Sequence, residues 1–113
     1  MTTAYTENMG WQRMMDLSAE IHRLRDVFIQ KDQGALHEDL RFASIRALTA
    51  IARLVSGMGQ ERKTAPDDVR SHLRDIETIG LLAHNLGVLS DDHFDRIGGI
   101  FTDVKFLLKS QTG

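Results

Sequence analysis

The side chains able to do chemistry in this 113-residue chain are five histidines, sixteen carboxylates and scattered arginines and lysines, with no cysteine. His84 sits in Leu82-Ala-His84-Asn-Leu-Gly87. An exposed imidazole near mid-helix can accept a phosphoryl group when a lysine nearby offsets the added charge. No lysine follows here, and Gly87 comes early enough to look like a helix stop, so His84 reads as an ordinary helix-end histidine. His22 and Asp26 are an i,i+4 pair that could offer a metal two ligands from one helical face. His37, His72 and His93 are scattered. A bundle metal site needs a second such pair, and the Glu-x-x-His of diiron bundles is absent. Without cysteine there is no thiolate zinc site, disulfide or thiol nucleophile. No catalytic, cofactor-binding or metal residue is assigned.

The best candidates for nucleic-acid contact are Arg41, Arg46, Arg53, Arg62 and Lys63. Arg46 and Arg53 are seven apart and share one helical strip, with Arg62-Lys63 beyond its end. Repeated around a ring, such a strip could form a positive band even though the chain carries a net charge of −2. The plainer reading is a solvated face pairing with Glu38 and Asp39. Aromatic stacking residues are not interleaved with the strip.

The elements that must position these residues are helical throughout. Met14, Leu17, Ile21, Leu24 and Phe28 step by three and four and predict a helix over about 7–30, after a disordered lead. Lys31-Asp-Gln-Gly34 breaks it, with Gly34 free to take a positive φ. Leu40, Ala43, Ala47, Ala50 and Leu54 form the seam of a helix over 36–58. Ile45, Leu48, Ala52 and Val55 form a second seam beside it, with Ile51 between. At ~100° per residue the two make an apolar arc of about 220°, so this helix should be buried on more than one side. Thr64-Ala-Pro-Asp-Asp68 predicts the next helix start, with a Thr cap and Pro66 in the first turn. That helix, 65–86, carries Val69, Leu73, Ile76, Ile79, Leu82, Ala83 and Leu86. Gly87 ends it, Val88 and Leu89 fold back, and Ser90 caps a helix over 90–109 with the seam Phe94, Ile97, Phe101, Val104 and Leu108. Lys105 and Lys109 suit its C-terminal dipole, and Ser110–Gly113 should fray. Together these predict an all-α, antiparallel up-down-up-down four-helix bundle in one domain. Ala43, Ala47, Ala50 and Gly80 should let the second and third helices approach closely.

Trp11, Met15, Phe42, Ile45 and Phe106 are apolar but lie off the central seams. With Leu48, Ala52 and Val55 they are the candidate subunit interface. Gly98-Gly99 adds to this, since Gly99 projects toward the side of Phe106, where a neighbour could approach. The first residues lack the basic start and apolar run of a signal peptide, and no run could span a membrane. The expectation is a cytoplasmic protein with no membrane partner.

At Ile76-Glu77-Thr78 and Leu86-Gly87-Val88-Leu89 the chain resembles the four-helix-bundle family encoded within intervening sequences of 23S ribosomal RNA genes. Trp11-Gln-Arg-Met-Met-Asp-Leu17 and Leu40-Arg41-Phe42-Ala43 are similar to its motifs in helices one and two. The family commonly continues helix two as Ser-Ile-Pro-x-Asn-Ile-Ala-Glu-Gly. This chain keeps Ile51-Ala52 but has Leu48 where the proline would stand, so helix two should run straighter and the family's polar site is not carried over. The resemblance implies a non-enzymatic bundle that assembles into rings, pentamers among them. One branch is similar to accessory proteins of diversity-generating retroelements, which are strongly basic, as this chain is not. The resulting expectation is a homo-oligomeric helical scaffold or adaptor, without cofactor, that could also bind a protein partner. The alternative is a nucleic-acid or ribonucleoprotein accessory.

Overall fold

A computed structural model describes residues 4–112, and it is all-α. A 3-10 turn at Ala4–Glu7 leads into α1 (Met9–Arg23), α2 (Arg25–Gln30), α3 (Gly34–Ser56), α4 (Gln60–Asn85) and α5 (Asp91–Thr112). α2 continues the first helix, and α1–α2, α3, α4 and α5 are the four members of an antiparallel bundle measuring 44 × 23 × 22 Å. Two sets of cross-links show the directions. From Ser18 to Ile21 on α1, the partners on α3 run backwards from Ser44 to His37. From Arg13 to Glu20, the partners on α5 run backwards from Asp103 to Arg96.

The helix ends follow local chemistry, with several departures from the sequence reading. Asn8 caps α1 by accepting from the Trp11 amide at 3.0 Å. The first helix is broken at Leu24. There the Ile21 carbonyl accepts from the Leu24 amide at 3.1 Å and from buried His37 Nε2 at 2.8 Å, in place of a regular i→i+4 ladder. Residues 4–6 of the expected disordered lead join Glu7 in the 3-10 turn, and residues 1–3 lie outside the described range. The positive φ of the first loop falls on Asp32 (57°), not on Gly34, which is already the first residue of α3. An Asp tolerates that conformation because its short side chain is compatible with it.

α4 begins at Gln60, so Pro66 lies inside a helix and is not its start. Proline removes only the amide that would have bonded the Arg62 carbonyl, and buried Ala65 and Val69 hold the turn to the core. The C-terminus of α4 is a Schellman turn: Gly87 has φ 76°, its amide bonds the His84 carbonyl at 3.0 Å, and the Val88 amide bonds Ala83 at 2.9 Å. Val88 and Leu89 are buried, as expected. The Ser90 side chain accepts from the His93 amide and starts α5, which runs to Thr112 without the expected fraying at Ser110; Gly113 is outside the described residues.

The core contains the expected seam of the first helix and the Leu40–Leu54 seam of α3. On α5 it contains Ile97, Val104 and Leu108 with Ile100, while Phe94 and Phe101, expected inside, are only partly buried against it. On α4 it contains Val69, Leu73, Ile76 and Ala83, whereas Leu82 and Leu86, expected inside, are 46% and 52% exposed. The four sides of the bundle are unequal. α3 packs most closely on α4, where Ala43 and Ala50 keep the facing surface thin, and α5 packs mainly on α1. A Cβ at Gly10 would stand 2.5 Å from Leu108 Cδ2, so that contact needs a bare backbone. The α4–α5 side is the least joined of the four. Gly80 therefore does not serve the α3–α4 contact: a Cβ there would meet nothing within 4 Å.

These contacts set the sign of two substitutions. Gly10→Ala and Ala47→Leu should each lower stability by about 1–3 kcal/mol through overpacking, measured as a lower urea midpoint at unchanged slope.

Candidate interaction groove

Between α4 and α5 the loose side of the bundle opens into a groove of about 720 Å³. Its basic rim consists of Arg70 and Arg74, one turn apart on α4, and Lys105 and Lys109, one turn apart on α5. Leu73, Phe101 and Leu108 form its apolar lining, and Glu77 is the only carboxylate lining it among the described residues. The groove runs past Phe101 and Thr102 into a recess of about 180 Å³ whose one charged lining residue is Glu77, with Gly80 and Gly98 beside Leu81, Phe94 and Ile97. A Cβ at Gly98, as at Gly80, would meet nothing within 4 Å.

The rim cations differ in freedom. Arg70 is tied to Asp67 and to the Thr112 carbonyl. Lys105 lies 5.7 Å over the Phe101 ring. Among the described residues Arg74, Lys105 and Lys109 form no ion pair. Phe106 stands at the edge, 76% exposed. The groove therefore offers unneutralised positive charge above an apolar floor, an arrangement suited to binding.

The candidate subunit-interface residues separate into three groups. Trp11, Leu48 and Val55 pack against the core, Trp11 also meeting Tyr5 edge-on at 5.5 Å. Met15, Phe42, Ile45 and Ala52 remain exposed or half-exposed on α1 and α3. Phe106 belongs to the α4–α5 groove on a different face, and Gly99 borders a recess beside α1 with Arg13 and Glu20.

The basic strip on α3 is less continuous than its spacing suggested. Arg41 hydrogen-bonds Glu38 at 2.8 Å and covers the Phe42 ring at 4.7 Å, with Arg46 at 5.9 Å from the same ring. Arg53 is half-buried. Arg62 and Lys63 lie in the first turns of α4, and Arg62 lines a recess with Leu54, Val55 and Pro66. The four groove cations were missed in the sequence. Their i,i+4 spacing was visible, but Lys105 and Lys109 were explained by the helix dipole, and nothing local shows that they face Arg70 and Arg74.

Three of the five histidines, His22, His37 and His84, have side-chain hydrogen-bond partners, whereas the buried Nδ1 atoms of His72 and His93 have none. His84 Nε2 bonds Asp91 Oδ1 at 2.7 Å and its ring stacks on Phe94 at 4.2 Å, clasping the α4–α5 turn with no lysine beside it. His37 Nε2–H donates to the Ile21 carbonyl at 2.8 Å, and His22 Nδ1–H donates to the Ser18 carbonyl at 2.7 Å. Ser44 gives its hydroxyl proton to the Arg41 carbonyl, so Ser18 is the donor in the buried Ser18–Ser44 bond of 3.0 Å. Among the described residues no group of three metal-ligating side chains comes together, and no helix is long and apolar enough to cross a membrane.

Comparison with known proteins finds no matching family model, no matching curated protein and no matching solved structure. The residues that carry the family resemblance nonetheless have local roles. Glu77 is the groove's acid, and Leu86–Leu89 build the Schellman turn.

One charge has a definite pH signature. The hydrogen bond from Arg41 holds the Glu38 carboxyl below its ordinary value. Any support this pair gives the fold is present above the unfolded pKa and disappears as pH falls through the folded one. An NMR titration should place the Glu38 midpoint below that of an unpaired glutamate, and Arg41→Ala should raise it.

Proposed function

We propose that this chain is a non-catalytic helical scaffold or adaptor that assembles with copies of itself through the outer face of α1 and α3. The observation that carries this reading is the arc on α3. Leu40, Ala43, Ala47, Ala50, Ile51 and Leu54 already fill the chain's own core, yet Ile45 is half-buried outside that cluster and Phe42 beside it is 44% exposed. Met15, one turn before Ser18 on the helix that meets α3, adds a side chain 41% exposed. Burying such side chains against a second copy removes apolar surface from water at about 25 cal/mol per Å².

Charge suggests the symmetry. Glu38 and Arg53 lie on either side of Ile45 at nearly equal separation along α3. An antiparallel pairing of two α3 helices about Ile45 places Glu38 of each copy near Arg53 of the other. A ring made by seating this face in a neighbour's α4–α5 groove would instead set Arg41, Arg46 and Arg53 against Arg74, Lys105 and Lys109. Like charges facing one another oppose that contact, so two-fold pairing is favoured over the pentameric rings that the family resemblance implies. Support for nucleic-acid binding by the α3 strip is weaker, because Arg41 is occupied by Glu38 and Arg62 turns to a separate recess.

Light scattering at micromolar concentration should give a mass that is a multiple of 12.8 kDa. Ile45→Glu and, independently, Phe42→Glu should each give a monomer with unchanged helical circular dichroism, because both residues lie outside the core cluster. A wild-type monomer contradicts the reading.

A further inference from the structure

We infer that the α4–α5 groove is a docking site for an amphipathic helix of a partner protein, apolar along one stripe and acidic toward one end. The inference stands apart from self-assembly, since it uses the opposite pair of helices. Three features of the groove define the occupant.

Its length is the first. From Arg70 to Leu81 the α4 wall runs eleven residues, about 16 Å at ~1.5 Å per residue. That matches about three turns of a bound helix, the span over which anchors at i, i+3 and i+7 share a stripe. Its floor is the second. Gly80 is buried and Gly98 half-buried, yet nothing stands within 4 Å of where their Cβ atoms would be. Glycine in a helix interior is unfavourable relative to alanine unless something uses the space, and close approach of another helix is such a use. Its charge is the third. Arg74, Lys105 and Lys109 gather at the end near Thr112, while the end near Leu81 and Phe94 is lined by no cation. A ligand matched to both ends carries carboxylates at one and apolar side chains at the other.

The same features disfavour the other occupants. A single nucleic-acid strand needs cations along its whole track and rings for successive bases. Here one half of the groove has no cation, Phe101 is covered by Lys105, and Phe106 alone projects. A second copy presenting its α3 face would bring the arginines that flank that face against the groove's own cations.

The test uses the full chain and a fluorescein-labelled helical peptide of about four turns, with leucines at i, i+3 and i+7 and glutamates clustered at one end. Fluorescence anisotropy should show saturable binding that weakens with salt. Arg74→Glu with Lys109→Glu should reduce affinity by about tenfold or more. Gly98→Leu, which places a side chain on the floor, should abolish binding while circular dichroism and the thermal midpoint show an intact fold. A peptide with the glutamates replaced by lysines should not bind. The inference is overturned if the acidic peptide does not bind, or if Gly98→Leu leaves binding intact. It is also overturned if a single-stranded oligonucleotide binds in the peptide's place and is lost with the same substitutions. A lower light-scattering mass for Gly98→Leu than for wild type would show a second copy in the groove, and would overturn it too.

Discussion

Alanines on α3 determine how this bundle closes. With Ala43, Ala47 and Ala50 buried on its core side, α3 presents little side chain where it meets α4, and the two helices share the most extensive contact in the molecule. Helix axes approach to 8–10 Å depending on the side chains between them, so small residues draw that side inward. α5 is fixed elsewhere. It lies on α1 through the Gly10–Leu108 contact and through the Arg13–Asp103 and Arg96–Glu20 pairs. The exposed ion pairs add little energy, and the steric fit of Leu108 over a bare backbone is the firmer anchor. With α4 held to α3 and α5 held to α1, the fourth side stays open, and the groove follows from that.

The α1–α3 side is specified by polar groups instead. Ser18, Ser44 and His37 are buried, and each has its hydrogen-bond partner across or along the seam. Such groups stabilise only in the register that pairs them, because a slipped register leaves them unsatisfied. His37 also takes the Ile21 carbonyl where the first helix breaks at Leu24, coupling the interruption to the packing of α3. The result is a rigid pair of helices whose outer surface carries Met15, Phe42 and Ile45. The proposed surface for self-assembly thus rests on the best-specified side of the bundle, and the proposed docking groove on the least constrained side.

Sequence periodicity identified the helices, the Gly87 turn and the Ser90 cap, because each depends on residues within a few positions of one another. It went wrong where several local solutions were available. On α4, Ile79, Leu82 and Leu86 make a stripe beside Ile76, Gly80 and Ala83, and only the neighbouring helices decide which is buried. Pro66 carries a strong start signal, yet one missing amide does not stop a helix that continues into buried Ala65 and Val69. Gly80 looked like a close-packing residue because small size is common to close contacts and open floors. The α3 arc was read as too wide for one core; Leu48 and Val55 are partly absorbed by the bundle, Ile45 and Ala52 are half-buried, and Phe106 lies on another face. The groove itself depends on the separation of two helices, which no local pattern encodes.

The open α4–α5 side is tested most directly by the urea unfolding midpoint of the Gly80→Ala, Gly98→Ala double variant. If the side is open, both methyl groups enter empty space and two interior glycines are removed. Stability should then rise by about 1 kcal/mol per site at unchanged slope. A fall in the midpoint would show that α4 and α5 close on one another in solution, and would contradict the account.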